Sequence, residues 1–211
     1  MRAAVIQMNS QNDTGANLDA AGLLLADAAR QGATYALLPE NFAFLGSEQE
    51  KLSKGKEISQ RALDFLRQAA AQHNLTITGG GMPMPAASGK FYNAALTVTP
   101  QGGILHRYDK LHLFDAMPGD NVSYRESRST EAGEPHLETF ETAGLAIGMS
   151  ICYDVRFPAL YRAYARKGAQ ALCVPAAFTR ITGAAHWHVL LRSRAIENTC
   201  YVLAAAQCGE H

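Results

Sequence analysis

Three residues of this chain have side chains that could act together on one reacting group. They are Cys152 in MSICYDVRFP (149–158), Glu40 closing YALLPE (35–40) and Lys110 closing ILHRYDK (104–110). A thiol attacks acyl carbonyls once a base takes its proton, and an ammonium can hold the negative charge that develops on the attacked oxygen. Each residue also has a plain alternative. A free cysteine packs as a small hydrophobe, a glutamate is a solvated loop acid unless paired, and a lysine at a hairpin end is a surface charge. Position sets these three apart, because each stands where a strand-like run leaves the core. In layered α/β folds, ligands collect at the carboxyl ends of strands. Pro158 marks a helix start one turn beyond Cys152. A helix start lowers a thiol pKa from about 8.5, so the sequence predicts available thiolate.

The elements needed to position these groups alternate along the chain. RAAVIQM (2–8) reads as a strand; Leu18, Ala21, Gly22, Leu25, Ala28 and Ala29 recur at helical spacing behind a cap at Thr14. ATYALLP (33–39) is a second strand, Ile58 to Ala70 a second helical face and LTITGGG (75–81) a third strand. FYNAALTVT (91–99) and ILHRYDK (104–110) form a hairpin across Gly102 and Gly103. Residues 115–136, with Pro118, Gly119, Gly133 and Pro135, read as a long functional loop. Strand 144–151, a helix from Pro158, strand 171–178, helix 184–198 and strand 200–207 complete the alternation.

Composition narrows the setting. With 211 residues, 47% of them hydrophobic, the chain supports one domain over 1–211 with a sizeable core. Nineteen basic residues balance nineteen acidic ones, and no basic stripe suggests a nucleic-acid partner. The N-terminal stretch lacks a secretory core, and no apolar run approaches the roughly 18 residues of a membrane span. The expectation is a soluble cytoplasmic protein. Cys152, Cys173, Cys200 and Cys208 show no CxxC or zinc-ligand spacing, so free thiols and no metal are expected. His186 and His188 lie two apart on a helix and point in different directions, which argues against a shared ligand. Asp154 and Arg156 are expected to hold the Cys152 turn by an ion pair or hydrogen bonds, with direct recognition of a substrate carboxylate by Arg156 as the alternative.

LLPENF (37–42), YDKLHLFD (108–115), ICYDVRFP (151–158) and GAAHWHVLLRSRAIEN (183–198) resemble, in order and over essentially the whole chain, the nitrilase superfamily of carbon-nitrogen hydrolases. The segment from HWHVLLRSRAIEN through CYVLAAAQCG is most similar to the Nit branch and its deaminated glutathione amidases. The resemblance implies a four-layer α-β-β-α sandwich and an amidase working through a cysteine thioester, without metal or organic cofactor. It makes Glu40 the general base, Lys110 the oxyanion holder, Cys152 the nucleophile and Glu126 a second, positioning glutamate. It also places Tyr153, Arg156, Ala176, Phe178 and Thr179 beside the substrate, a small carboxylate-bearing amide such as deaminated glutathione or an ω-amide of a keto acid. A homodimer or higher homo-oligomer is implied as well.

Two departures from the pattern accompany the match. His188 stands where close relatives carry glutamate after HW, and the chain ends at His211 where relatives continue into further strands. The expectation is therefore a C-terminally truncated domain with an exposed sheet edge. Two other readings stay open: a binding or interaction protein that does not turn over substrate, and a redox thiol protein using Cys152 as sensor.

Overall fold

The computed structural model describes residues 2–117 and 123–210; Pro118, Gly119 and His211 lie outside them. In chain order the elements are β1 (Ala3–Val5), α1 (Thr14–Arg30), β2 (Tyr35–Leu37), α2 (Glu48–His73), β3 (Thr76–Pro85), β4 (Phe91–Val98), β5 (Ile104–Asp109), β6 (Asp115–Ala116), β7 (Tyr124–Arg125), β8 (Thr130–Glu131), β9 (Phe140–Thr142), β10 (Leu145–Met149), α3 (Pro158–Arg166), β11 (Ala171–Cys173), α4 (Arg180–Asn198) and β12 (Tyr201–Leu203). One sheet runs β1-β2-β3-β4-β5, with β8 beside β4, and the other runs β12-β11-β10-β9. The strands β1, β2 and β3 pair in parallel, as do β10, β11 and β12; hairpin-like antiparallel pairs β3-β4-β5 and β9-β10 extend each sheet.

Three apolar clusters show how the layers stack. Leu25, Ile58, Ala62 and Leu66 of α1 and α2 meet Ile77, Leu96 and Val98 of the first sheet. Between the two sheets, Tyr35, Leu37, Ala95 and Tyr108 face Ile147, Met149, Ala171 and Cys173. On the outer face of the second sheet, Leu160, Tyr161 and Tyr164 of α3 pack against Leu172 and Val174. Helices, sheet, sheet, helices is the α-β-β-α sandwich that the sequence resemblance implied.

Element boundaries follow capping chemistry more closely than hydrophobic period. Asp13, not Thr14, caps α1, accepting the Ala16 N–H at 3.1 Å. α2 starts at Glu48, well before the apolar face read from Ile58, because Ser47 and Glu50 form a reciprocal capping box whose first turns are polar. The 115–136 loop contains β6 antiparallel to β7, then a short 3₁₀ turn at Glu126–Arg128 and β8. That loop therefore folds back onto the sheet.

Glycine is required where the sheets close around the future site. A Cβ on Gly80 would lie 2.0 Å from the Leu38 carbonyl oxygen and 2.4 Å from Pro175 Cβ. Backbone is the obstacle there, so side-chain rotation gives no relief. Gly80→Ala is expected to destabilise the protein by about 1–3 kcal/mol, read as a lower urea midpoint at unchanged m. Gly103→Ala, whose nearest neighbour would be 3.7 Å away, should stay within about 0.5 kcal/mol of wild type; equal effects at the two positions would refute the close-approach argument.

Candidate active site

Glu40, Lys110 and Cys152 meet, and all three are buried. Glu40 follows β2, where Asn41 turns the chain with φ 60° and donates its N–H to the Gly81 carbonyl at 2.9 Å. Lys110 prolongs β5, its N–H on the Asn93 carbonyl at 2.9 Å, so sheet pairing holds its backbone. Cys152 follows β10 at the head of a short 3₁₀ turn, with φ 49° and its N–H on the Pro175 carbonyl at 2.8 Å. A left-handed conformation at a non-glycine residue costs on the order of 1–2 kcal/mol and needs the surroundings to enforce it.

Asp154 does much of that enforcing. One of its carboxylate oxygens accepts from Tyr108 Oη at 2.7 Å and the Ile151 N–H at 2.9 Å; the other accepts the His112 N–H at 3.0 Å and lies 2.6 Å from His112 Nδ1. A single carboxylate thus ties the chain on both sides of Lys110 to the residue before Cys152. The expected ion pair with Arg156 is absent among the described contacts. Arg156 instead places its guanidinium 5.3 Å from the Phe178 ring centroid and 5.8 Å from that of Tyr153, and reaches His186 Nδ1 at 3.3 Å.

At the centre, Lys110 Nζ lies 2.9 Å from Glu40 Oε1 and 3.0 Å from Glu126 Oε2. Asn93, which no sequence pattern singled out, donates from one amide nitrogen to both carboxylates, at 2.8 Å to Glu40 and 3.0 Å to Glu126. Its amide is thereby forced into one orientation, and its Oδ1 is buried without a partner among the described residues. The Phe114 N–H donates to Glu126 Oε2 at 2.7 Å, and the Ala177 N–H to Glu40 Oε2 at 2.8 Å. Gln207 braces the Glu40 backbone by donating to its carbonyl at 3.0 Å.

Electrostatics follow from burial and count. Burial opposes charge on Lys110, but Glu126 and Glu40 outweigh it and hold the ammonium well above the usual lysine range. Burial likewise opposes ionisation of Glu126, yet Lys110, Asn93 and the Phe114 N–H bring its carboxyl below the ordinary value. The Cys152 thiol moves the other way from the sequence expectation. Burial pushes it well above the ordinary range, the Glu40 charge adds to that, and Lys110 and the Ala177 N–H only partly compensate. The five-residue 3₁₀ turn after Cys152 supplies too little dipole to offset desolvation.

A cavity of about 380 Å³ opens onto these groups, lined by Glu40, Asn93, Lys110, Glu126 and Cys152. Tyr153, Phe178 and Thr179 line it. Ala176 and Arg156 do not: Ala176 is fully buried and pairs with Ala206, so its neighbour Ala177 faces the cavity, while Arg156 is turned onto the outer faces of Tyr153 and Phe178. Strand alternation explains the one-residue error. Lys51, Arg125 and Arg128 also line the cavity, and no signal in the sequence marked them. Among the described residues no group of three or more His, Cys, Asp or Glu side chains could hold a metal.

Known proteins share both the sequence and the fold. The carbon-nitrogen hydrolase family profile matches residues 2–211. A deaminated glutathione amidase of Synechocystis sp. is 49% identical over 212 residues, covering 99% of this chain and 78% of its own length. The deaminated glutathione amidase of Bos taurus is 41% identical over 215 residues, with 99% of this chain and 65% of the bovine protein covered. Among solved structures, the C. elegans NitFhit protein superposes with a TM-score of 0.93 at 39% identity over 99% of this chain, which spans 52% of that one.

The lowered Glu126 value has a stability consequence with a definite sign. A carboxyl depressed on folding contributes stability above its unfolded value of about 4.3, and that contribution is lost as pH falls through the folded value. Urea unfolding from pH 7 to pH 3 should therefore show Glu126→Gln less stable than wild type at neutral pH, with the gap narrowing below about pH 4.3. A gap that stays constant over that range would remove Glu126 from the ion cluster.

Proposed function

The chain belongs to the carbon-nitrogen hydrolase family, and from that premise we propose that it is an amidase acting through Cys152, Glu40 and Lys110. The observation that carries the reading is that one carboxylate, Glu40, pairs with the ammonium of Lys110 at 2.9 Å and lines the same cavity as Cys152, whose thiol pKa its charge raises.

Attack begins from a protonated thiol, so proton transfer from Sγ to Glu40 accompanies formation of the S–C bond. Glu40, not Glu126, is the base. Of the two carboxylates it is Glu40 whose charge acts on the Cys152 thiol and raises its pKa, whereas Glu126 is held by Lys110, Asn93 and the Phe114 N–H. Lys110 has three N–H donors and two carboxylate partners, which leaves one for the tetrahedral oxyanion; the Tyr153 N–H, first beyond the nucleophile, is the second donor. Protonated Glu40 then delivers its proton to the amide nitrogen as the C–N bond breaks and ammonia departs. A thioester remains on Sγ. Water gives a proton to Glu40 and its oxygen to the acyl carbon; collapse releases the acid, and the thiol recovers its proton from Glu40.

The substrate in this reading is a small linear amide bearing a carboxylate. Relatives named deaminated glutathione amidases support deaminated glutathione itself or a related ω-amide of a keto acid. A redox role for Cys152 fits the site less well, because oxidation begins from an accessible thiolate and this thiol is buried and held protonated.

Ammonia release from such an amide should vanish in Cys152→Ala, with the unfolding midpoint nearly unchanged. Glu40→Gln, which keeps an acceptor for Lys110 but cannot take a proton, should lower kcat by about 10²–10⁴. Intact-mass analysis during wild-type turnover should show the acyl adduct on Cys152. Normal turnover in Cys152→Ala would remove the nucleophile assignment.

A further inference from the structure

The charges around the cavity are sorted by depth. Its inner wall carries two carboxylates, Glu40 and Glu126, against the single ammonium of Lys110, all of them nearly inaccessible to solvent. On its solvent side it is lined by the exposed Arg125 and Arg128, and the Lys51–Glu48 ion pair lines it as well. Arg125 and Arg128 are exposed, whereas Glu126 between them turns inward, so one short turn sends a negative group into the cavity and leaves two positive groups at its solvent side.

Arg125 and Arg128 are not consumed by carboxylates of the fold, whereas Lys51 is. Lys51 pairs with Glu48 at 3.1 Å, and the hydroxyl of Ser129 also donates to Glu48. Asp115 feels both arginines at longer range, but its oxygens are taken by the Ser127 N–H at 3.0 Å and the Ser127 hydroxyl at 2.6 Å. Among the described residues neither Arg125 nor Arg128 has a carboxylate within the 4.0 Å of an ion pair.

We propose that Arg125 and Arg128 are specificity-determining residues that bind a carboxylate at the end of the substrate remote from the scissile amide. The inference rests on the amidase reading above and adds a polarity to it. A neutral amide enters the net-negative inner wall without Coulombic cost, whereas a carboxylate there would face Glu40 and Glu126 in a low-dielectric hollow. The same anion at the outer wall meets guanidinium groups able to bind it bidentately. Attraction outside and repulsion inside therefore select one orientation, with the amide carbonyl directed at Cys152. Selection by opposing contacts discriminates more sharply than attraction alone.

Two amides of equal chain length test this: the monoamide of glutaric acid, and pentanamide, in which a methyl group replaces the carboxylate. Wild type should show kcat/KM at least about tenfold higher on the carboxylate-bearing amide, mainly through KM, and added salt should erode that ratio. In the double variant Arg125→Gln, Arg128→Gln the ratio should fall about tenfold or more, while Arg125→Lys, Arg128→Lys should retain part of it. Loss of overall rate through misfolding would lower both substrates together and leave the ratio where it was, so the ratio isolates recognition. A wild-type ratio near one, or a ratio unchanged within about twofold in the glutamine variant, overturns the inference while leaving amidase chemistry standing. Turnover of neither amide by wild type, with no acyl adduct on Cys152, overturns the amidase reading and this inference with it.

Discussion

An ammonium shared by two carboxylates in a dry hollow is the constraint on which the rest depends. Lys110, Glu40 and Glu126 are each costly to bury alone, and removing one partner from such a cluster typically costs about 3–5 kcal/mol. Together they are tolerable, because Asn93 and the Phe114 N–H add donors to oxygens that the lysine also bonds, and the Ala177 N–H satisfies the Glu40 oxygen that the lysine does not reach. The cluster nevertheless keeps an excess of one negative charge. That excess, added to desolvation, is why the adjacent thiol resists ionisation. A preformed thiolate would be a third anion in the same space, which is why the proposed reaction starts from the protonated thiol.

The sheet seam keeps side chains from distant segments in register. Glu40 comes from beyond β2 and Lys110 from beyond β5, both in the first sheet; Cys152 comes from beyond β10 in the second. Side-chain packing between the sheets sets their spacing only loosely, and hydrogen bonds fix it. Asp154 joins Tyr108 and His112 on one side to Ile151 on the other, while the Pro175 carbonyl holds the Cys152 N–H. Close approach at Gly80 brings Leu38 and Pro175 together across β3. The buried Asp154 therefore fixes the positions of the segments that carry Lys110 and Cys152.

Strand ends were legible in the sequence because apolar runs stop abruptly at Glu40 and Cys152, and the paired glycines of the β4-β5 turn placed the strand that ends at Lys110. What local pattern could not show was the direction of long-range effects. A thiol next to a helix start suggested a low pKa, yet tertiary burial reversed the sign. Asp154 and Arg156 suggested each other as partners by proximity, but the 3₁₀ turn points one into the core and the other across Phe178. Asn93 looked like one polar residue in the run FYNAALTVT. Its role exists only because β4 lies between the segments that carry the two glutamates. Ala177 contributes through a backbone N–H, which no side-chain pattern could mark.

The unpartnered Asn93 carbonyl oxygen sharpens the point about what the site is built to do. A buried acceptor without a donor costs about 1–3 kcal/mol, and turning the amide over would offer that oxygen the lysine's surroundings but would aim it at two carboxylates. Apolar replacement of Asn93 would relieve the orphaned oxygen, at the expense of one donor to each glutamate. Stability alone does not favour such an arrangement. It is favoured if Glu40 must be kept a fixed distance from Lys110 while its other oxygen, which accepts the Ala177 N–H, can still take a proton as the proposed reaction requires, because a neutral donor steadies a carboxylate without neutralising it. A second lysine at that place would steady Glu40 more strongly and weaken it as a base. The choice of amide over ammonium thus separates the two demands on Glu40, orientation and basicity, and assigns them to different neighbours.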